Sequence, residues 1–483
     1  MSRAKKFFIL TLPLILGSLL FVSCSVYLPD ATEQPNTPPA ATSDLAQPVP
    51  SPEASLTVFP TIESLNTIKI DPDQLKGQVV QFWHPWTGFE QNGMDELIQE
   101  FNDTNEWGIQ VKAEAFVDLD DLWKQASDAQ KAGQAPDLVV GTLHQILTLD
   151  AQQPLVDLAG YVNDPVWGLT SQEQADYFPV IWNSDQVGGR RLGFPSLRTG
   201  QVIFYNSSWA KELGFSQPPN NPDEFRKQAC AAAKSNQSDE NPENDGTGGW
   251  IISTQPGSGL GWLRAFGVPV EREDGQGYQF NPPETEKAFL FLRDLYDRDC
   301  AWLPESEFAE GDFASRRGLF AAGSLSDLPY YTQEFKRQQN KDTWTILPFP
   351  SDTQPVFPIS GQSYSILPRT DESQLASWLF VRWLSQPENA AKWIESTHSL
   401  PLRQEVFNRL ESFRKDNPQW ETGVNLLSQG SAEPPYASWS QVRWAVQDAV
   451  TQVFRSYFSK DGVPDLVKFL QRTADSLHAV QEK

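Results

Sequence analysis

Residues that could bind a ligand are concentrated in one short loop, Trp83-His84-Pro85-Trp86-Thr87-Gly88. An indole ring can stack on the apolar face of a sugar ring while its N–H group bonds a hydroxyl. The loop could therefore form one wall of a binding cleft. Packing of Trp83 and Trp86 within a core explains the same residues, because tryptophan is usually mostly buried.

The loop joins a predicted strand to a predicted helix. Residues 79–82 are mostly β-branched or aromatic, which is typical of a strand. Apolar residues recur at helical spacing from Met94 to Phe101, and Asn92 is the predicted N-cap. Ligands of open α/β sheets bind beyond the carboxyl ends of the strands, so the loop lies where a ligand is expected.

Strands and helices alternate further along the chain. Alternating apolar residues at 109–115 and an apolar run at 138–140 predict two more strands, with a helix at 119–133 between them. This order implies a parallel sheet whose first and third loops open on the same edge. A fourth strand is predicted at 202–205. No GxGxxG or P-loop motif follows any of these strands, which excludes the usual nucleotide-binding classes.

The composition excludes a nucleic-acid partner. The chain has 483 residues and a formal net charge of −24, whereas nucleic-acid binding needs a basic face. It contains 17 Trp and only two Met. Composition alone does not decide whether the indoles serve a ligand or the core.

The amino terminus has the pattern of a signal peptide over residues 1–23: basic residues, an apolar run at 7–22 and small residues before Cys24. Pro13 interrupts the run, so a permanent membrane helix is the weaker interpretation. Phe-Val-Ser-Cys at 21–24 resembles a bacterial lipobox, although Phe21 replaces the usual aliphatic residue. This resemblance implies lipidation of Cys24. Residues 24–70 are rich in Pro, Ser and Thr and are predicted to form an extended tether.

Six segments of the body form a recognisable series. They are VVQFWHPWTG…LIQEFN at 79–102, AGQAPDLVVG at 132–141, GFPSLRTGQVIFYN at 193–206, FAAGSLSDLPYY at 320–331, ISGQSYSIL at 359–367 and ASWLFVRWLSQPENAAKWIESTHSLPLR at 376–403. In this order they resemble the bacterial extracellular solute-binding proteins of ABC importers, in particular the sugar-binding branch.

The resemblance implies a periplasmic-binding-protein-like α/β fold, with two lobes that close on a ligand between them. Chain crossings are then expected near 204–208, 319–324 and 367–371. The first lobe would comprise 71–204 plus 321–368. The second lobe would comprise 205–320 plus 369–483.

Loops beyond the strand ends, the expected second crossing, and loop-like or helix-start stretches of the second lobe supply the candidate ligand-binding residues. They are Trp83, His84, Trp86, Thr142, Arg198, Thr199, Trp262, Ser324, Tyr330, Gln362, Tyr364 and Trp439. Aromatic platforms with a few amides, hydroxyls and one charge are what a sugar site needs. Core packing is the alternative for each tryptophan outside the first loop, and an ion pair between the lobes is the alternative for Arg198.

Two further readings concern charged and metal-binding groups. Asp327 is predicted to be a cap or turn residue rather than a ligand contact. His84 is one of only four histidines, and none lies at ligand spacing with another, so neither a metal site nor a cofactor is expected.

Apart from Cys24, the chain contains only Cys230 and Cys300, both in the segment assigned to the second lobe. Two thiols outside the cytoplasm often pair. Spacing does not show whether their Cβ atoms are close enough, so two separately buried thiols remain the alternative.

The resemblance implies a monomeric solute-binding lipoprotein that lies outside the cytoplasm and delivers a solute, most readily a sugar, to a membrane permease. A secreted glycosidase with a carboxylate pair is the rival hypothesis. A structural surface protein is a third. No GxSxG or HExxH motif is present. We therefore expect a binding protein rather than an enzyme.

Overall fold

The computed structural model describes residues 68–306 and 308–482. Its strands are β1 Val79–His84, β2 Gln110–Ala115, β3 Leu138–Gly141, β4 Gln186–Val187, β5 Arg190–Arg191, β6 Phe194–Tyr205, β7 Gly248–Ile251, β8 Val270–Glu271, β9 Tyr278–Gln279, β10 Ala301–Trp302, β11 Gly318–Ser324, β12 Thr345–Leu347, β13 Phe357–Ile366 and β14 Gly430–Ala432.

The α-helices lie between and after these strands. They are α1 Gly88–Thr104, α2 Leu119–Lys131, α3 Leu143–Gln152, α4 Ala159–Val162, α5 Ser171–Ala175, α6 Pro179–Trp182, α7 Ser207–Glu212, α8 Pro222–Ser238, α9 Pro256–Ala265, α10 Pro283–Asp297, α11 Glu310–Ala314, α12 Leu328–Arg337, α13 Asp371–Leu384, α14 Pro387–Thr397, α15 Gln404–Arg409, α16 Glu411–Asp416, α17 Pro418–Asn425, α18 Trp439–Val453 and α19 Val463–Gln481. Short 3-10 turns lie at Pro72–Leu75, Leu325–Asp327, Leu426–Gln429 and Lys460–Gly462.

The opening unit forms as the sequence predicts, except at the start of its helix. β1 pairs in parallel with β2 and β3, and α1 buries the predicted apolar face from Met94 to Phe101. The helix begins at Gly88 with Thr87 as N-cap, so the prediction of Asn92 as N-cap was wrong. Gly88 has a φ of 58°, a conformation that glycine adopts readily and that lets the chain turn into the helix five residues earlier than predicted.

One sheet of ten strands runs through the protein, with β10, β7, β11, β6, β13, β3, β1 and β2 in that spatial order. β6 is its central element. Its first half pairs antiparallel with β13, and its second half pairs antiparallel with β11 and β12. The change of partner falls between Gly200 and Gln201. β6 therefore links the β1–β3 half of the sheet to the β7–β11 half.

Two large hydrophobic cores pack against this sheet. The first core contains the buried faces of β1, α1 and β3 and residues from both halves of β6, including Phe194 and Phe204. The second core contains those of α8, β7, α9, α10, α18 and α19. Tryptophans are central to both, with Trp378 in the first core and Trp250 in the second, each fully buried.

The carboxyl-terminal helices divide between the two cores. α13 packs in the first core, where the ring of Phe380 lies 5.8 Å from that of Phe82 and 5.0 Å from that of Phe101. Trp393 and Trp420 lie in the same core. This packing differs from the expected division, which placed all of 369–483 in the second lobe. We propose that the first lobe extends to about residue 429 and that α18 and α19 complete the second.

A disulfide joins Cys230 in α8 to Cys300, which precedes β10, with Cα atoms 4.4 Å apart. It is the pair whose bonding the sequence left open. The bond ties a helix to the edge strand of the second half of the sheet. Within residues 68–306 and 308–482, no helix is both long and apolar enough to cross a membrane.

Candidate functional site

The two halves of the sheet enclose cavities near the carboxyl ends of their parallel strands. The inner cavity has a volume of about 40 Å³ and the wide cavity about 550 Å³. The inner cavity is lined by Leu143, His144, Ser184, Asp185, Arg198, Ile359, Ser360, Gly361, Ala432, Glu433, Pro434 and Trp439. The wide cavity is lined by Gln255, Phe308, Ala309, Glu310, Ala322, Asp327, Tyr330 and Tyr331.

The inner cavity lies between the two cores. On one side are Arg198 from β6 and His144 from the first turn of α3. On the other side is Trp439, which belongs to the second core and stacks on Tyr278 with ring centroids 6.0 Å apart. Side chains of both lobes therefore face one space, as a clamshell binding site requires.

Arg198 is an ion-paired residue in this cavity rather than a free cation. Its guanidinium is 3% exposed and donates to Asp185, with an Nη2–Oδ2 distance of 2.8 Å. The same nitrogen donates to Ser363 Oγ at 2.9 Å, and Nη1 donates to the carbonyl of Gln362. Ser363 Oγ in turn donates to Asp185 at 2.8 Å. Asp185 thus neutralises the charge of Arg198, and the hydrogen bonds to Gln362 and Ser363 hold its guanidinium against β13.

Burial shifts the two other titratable groups of the inner cavity toward their neutral forms. It lowers the pKa of His144 to about 3, and the positive charge of Arg443 acts in the same direction. It raises the pKa of Glu433, against the attraction of Arg443. Together with the Arg198–Asp185 pair, these groups give the inner cavity a polar lining that can hydrogen-bond hydroxyl groups.

Thr142 and His144 interact with each other at the start of α3. Thr142 is the N-cap of this helix, and its Oγ1 lies 3.0 Å from His144 Nε2. Thr142 Oγ1 also donates to Gln145 Oε1 at 2.8 Å. The predicted site residue Thr142 therefore orients the histidine that lines the inner cavity.

The aromatic residues of the first loop lie mainly against the first core. Trp86 is 1% exposed, contacts Trp393 with ring centroids 4.7 Å apart, and donates from Nε1 to Gln362 Oε1 at 2.8 Å. Trp83 is half-buried against Phe116. Trp86 and Gln362, both predicted site residues, thus bond to each other.

Two other predicted aromatic site residues also pack inside the cores. Tyr364 lies in the first core, with its ring 6.0 Å from that of Phe82. Trp262 lies in the second core between Phe225 and Phe349. Neither lines the inner or the wide cavity. Core packing, the alternative interpretation of Trp262, describes its position.

His84 is buried and stacks on Trp86 with ring centroids 5.1 Å apart. Its Nδ1 has no hydrogen-bond partner among the described residues. Burial lowers the pKa of its imidazole to about 4. The ring is therefore held neutral at neutral pH.

A pH dependence of stability follows from His84 and His144. Their folded-state pKa values lie below the ordinary 6.5, so the unfolded state binds protons first. Stability from their burial is complete above pH 6.5 and is lost as pH falls from there toward 4. Between pH 6.5 and pH 5 the burial of each histidine should lower the free energy of unfolding by about 1.6 kcal/mol. Urea unfolding at both pH values should show a smaller loss for His84→Gln than for the unmodified protein, and an equal loss would contradict this account.

Thr199 and Ser324 meet where the two halves of the sheet join. Their hydroxyl oxygens lie 2.7 Å apart, and Ser326 Oγ donates to Thr199 Oγ1 at 2.9 Å. Asp327 accepts from the backbone N–H of Ser324 at 2.8 Å and forms a capping box with it, in agreement with the cap predicted from the sequence. These groups link β6 to the turn that follows β11.

The wide cavity is bounded by two exposed aromatic rings. Tyr330 in α12 is 58% exposed, and Phe308 is 75% exposed. A smaller cavity of about 150 Å³ adjoins it and shares Gln255, Ala309 and Ala322. Of the twelve candidate residues, Tyr330 lines the wide cavity, and Arg198 and Trp439 line the inner cavity.

Several lining residues were not predicted from the sequence. They include His144, Asp185, Gln255, Phe308, Glu310 and Glu433. His144 follows the third strand by three residues, so position beyond a strand end could have identified it. The others lie in stretches without a periodic pattern, where no sequence signal marks them.

Two α/β halves on one sheet, with cavities lined from both sides, define a two-lobed ligand-binding protein. The sequence matches the model of the bacterial extracellular solute-binding protein family over residues 96–423, and the chain belongs to that family. The resemblance read from its six segments is confirmed, and so is the fold expected from it.

Individual relatives are distant. The sn-glycerol-3-phosphate-binding periplasmic protein UgpB of Shigella dysenteriae is 24% identical over 377 residues, which cover 72% of this chain and 80% of that protein. The sugar-binding protein MalE of Xanthomonas citri superposes with a TM-score of 0.71 at 20% identity, covering 84% of this chain and 98% of that one. UgpB of Mycobacterium tuberculosis, in complex with glycerophosphocholine, gives 0.68 at 17% identity, covering 84% and 100%.

Proposed function

We propose that this protein captures a small solute, most readily a sugar or oligosaccharide, between its lobes and delivers it unchanged to the permease of an ABC importer. The two cavities carry this proposal, because side chains of both cores line the inner cavity and the wide cavity, at about 550 Å³, is large enough for a small solute. Membership of the solute-binding family supports it. Related proteins are named for binding sugars or glycerol phosphates.

Capture works by lobe closure. A ligand that contacts both lobes binds the closed state more tightly than the open one and shifts the population toward it. β6 and β13 both lie where the halves join, and the Thr199–Ser324 contact spans that junction. The closed form is the species that docks on the permease in this proposal, and the protein acts as a monomer.

Thermal unfolding of residues 71–483 tests the function directly. The panel contains mono- and oligosaccharides, polyols, glycerol and sugar phosphates, and amino acids. A ligand that binds only the folded state stabilises that state by about 2.7 kcal/mol when its concentration is a hundred times its Kd. We expect a rise in Tm for one class, with the ligand recovered intact. A sugar that is hydrolysed during the assay would instead support the glycosidase hypothesis.

We further propose that a lipid on Cys24 anchors the protein to the outer face of the cell membrane, with residues 25–70 as the tether. Cys24 and the predicted signal peptide lie outside the described residues. Replacing Cys24 with serine should move the protein from the membrane fraction to the soluble fraction of cells. Retention of the C24S variant in the membrane fraction would contradict the lipid anchor.

A further inference from the structure

The charged lining of the wide cavity is entirely acidic within the described part of the chain. Its walls contain Glu310 and Asp327, and the adjoining cavity adds Glu305. Neither cavity is lined by a described lysine, arginine or histidine. The remaining lining is amide, hydroxyl or apolar. A negatively charged ligand group would therefore meet two or three carboxylates and no described cation.

Glu310 and Asp327 line the same cavity without a positive partner among the described residues. Among the described residues neither carboxylate forms an ion pair, and Asp327 accepts one backbone hydrogen bond, from Ser324. Burial and the negative charge of Glu310 together raise the pKa of Asp327 to about 6, against the hydrogen bond from the Ser324 backbone. A cation placed between them would relieve this repulsion. Both carboxylates therefore line one cavity that has no described cation in its walls.

The rings beside these carboxylates suit the same kind of ligand. Tyr330 and Phe308 both border the cavity and are largely exposed. An aromatic face attracts a cation through its quadrupole and also accommodates the apolar face of a sugar ring. An amine-bearing sugar presents both groups. The cavity of about 550 Å³ falls within the range of small-molecule sites.

We propose that the wide cavity takes a sugar that carries a protonated amino group, and that Glu310 and Asp327 select it over neutral and phosphorylated ligands. The inference rests on the proposed function and narrows its ligand class. The proposed ligand is a cation, whereas related proteins are named for binding glycerol 3-phosphate, which is an anion. Selection is electrostatic, so it should weaken as the salt concentration rises.

Three ligands test the selection by titration calorimetry on the full chain in detergent. Chitobiose and cellobiose share one disaccharide skeleton, but chitobiose carries amino groups where cellobiose carries hydroxyl groups. The third ligand, sn-glycerol 3-phosphate, carries a negative charge. We expect chitobiose to bind at least tenfold more tightly than cellobiose at neutral pH, and the phosphate to give no heat. Equal affinity for the two disaccharides, or tighter binding of the phosphate, would overturn the selection.

The variant Glu310→Gln should reduce the ratio of chitobiose to cellobiose affinity severalfold, and Asp327→Asn should reduce it further. Glu243→Gln removes an equal charge from an exposed position of another loop and should leave the ratio unchanged. An unchanged ratio in Glu310→Gln would overturn the assignment, provided that its Tm matches that of the unmodified protein. If Asp327→Asn lowers the Tm, only the affinity ratio measured with Glu310→Gln tests the assignment.

Failure of this inference is distinguishable from failure of the proposed function. Binding of cellobiose or another neutral sugar without preference for the amine overturns the selection and leaves solute capture intact. Binding of none of the three ligands also overturns the selection. The broader thermal panel then decides whether the protein binds a different solute.

Discussion

Replacing Asp185 with alanine should lower the free energy of unfolding by about 3–5 kcal/mol. The substitution leaves the guanidinium of Arg198 buried at 3% exposure without its carboxylate partner. An unpaired buried charge costs far more than the pair itself contributes. Urea unfolding at neutral pH measures the loss. Because both residues line the inner cavity, D185A should also weaken ligand binding.

Two matched variants test whether the burial of the charge causes this loss. Asp128→Ala removes an ion pair whose side chains are 65% and 69% exposed, and it should cost less than about 1 kcal/mol. Adding Arg198→Met to Asp185→Leu removes both charges and should restore part of the stability lost in D185A. A loss in D185A no larger than that in D128A would contradict the buried pair.

Removal of the disulfide should have an effect of similar size. Cys230 and Cys300 are 70 residues apart in the sequence, and cross-links of loops this long typically contribute about 2–5 kcal/mol. The double variant Cys230→Ala, Cys300→Ala should therefore unfold at a clearly lower temperature. Cys300 is almost fully buried, and alanine replaces its thiol without adding a polar group.

A reductant provides the control for the disulfide. It should lower the Tm of the unmodified protein toward that of the double variant and leave the variant unchanged. Mass spectrometry after alkylation under native conditions should find neither thiol modified before reduction. Two alkylated cysteines in the untreated protein, or a Tm insensitive to reduction, would contradict the bond.

The local elements of this fold were predictable because the residues that define them are close in sequence. The apolar face of α1 follows from four side chains at helical spacing, and β1 to β3 follow from short apolar runs. The start of α1 was not predictable in the same way. Thr87 and Gly88 are an ordinary loop pair until the positive φ of Gly88 is known.

The division into lobes depends on contacts that no local pattern contains. α13 is amphipathic in either lobe, and only its packing against Phe82 and Phe101 places it on the first core. Trp262 shows the same limit for the site, because the local sequence around a tryptophan is the same whether its indole lines a cleft or packs in a core. Its contacts with Phe225 and Phe349 distinguish the two.

The polar groups of the inner cavity were hidden for a related reason. Asp185 is one of many acidic residues, and its role comes from Arg198 and Ser363, which lie 13 and 178 residues further along the chain. Glu433 belongs to a stretch without periodicity and lies at the cavity because β14 pairs with β13. Position beyond the strand ends predicts which edge of the sheet holds the site, but it does not identify these partners.

We propose that a solute is captured between two closing lobes and released intact. Small-angle X-ray scattering of residues 71–483, with and without the ligand identified in the thermal panel, tests it most directly. We predict a smaller radius of gyration in the bound state and recovery of the ligand unchanged from the same sample. An unchanged radius at saturating ligand, or conversion of the ligand to a product, would contradict capture by lobe closure.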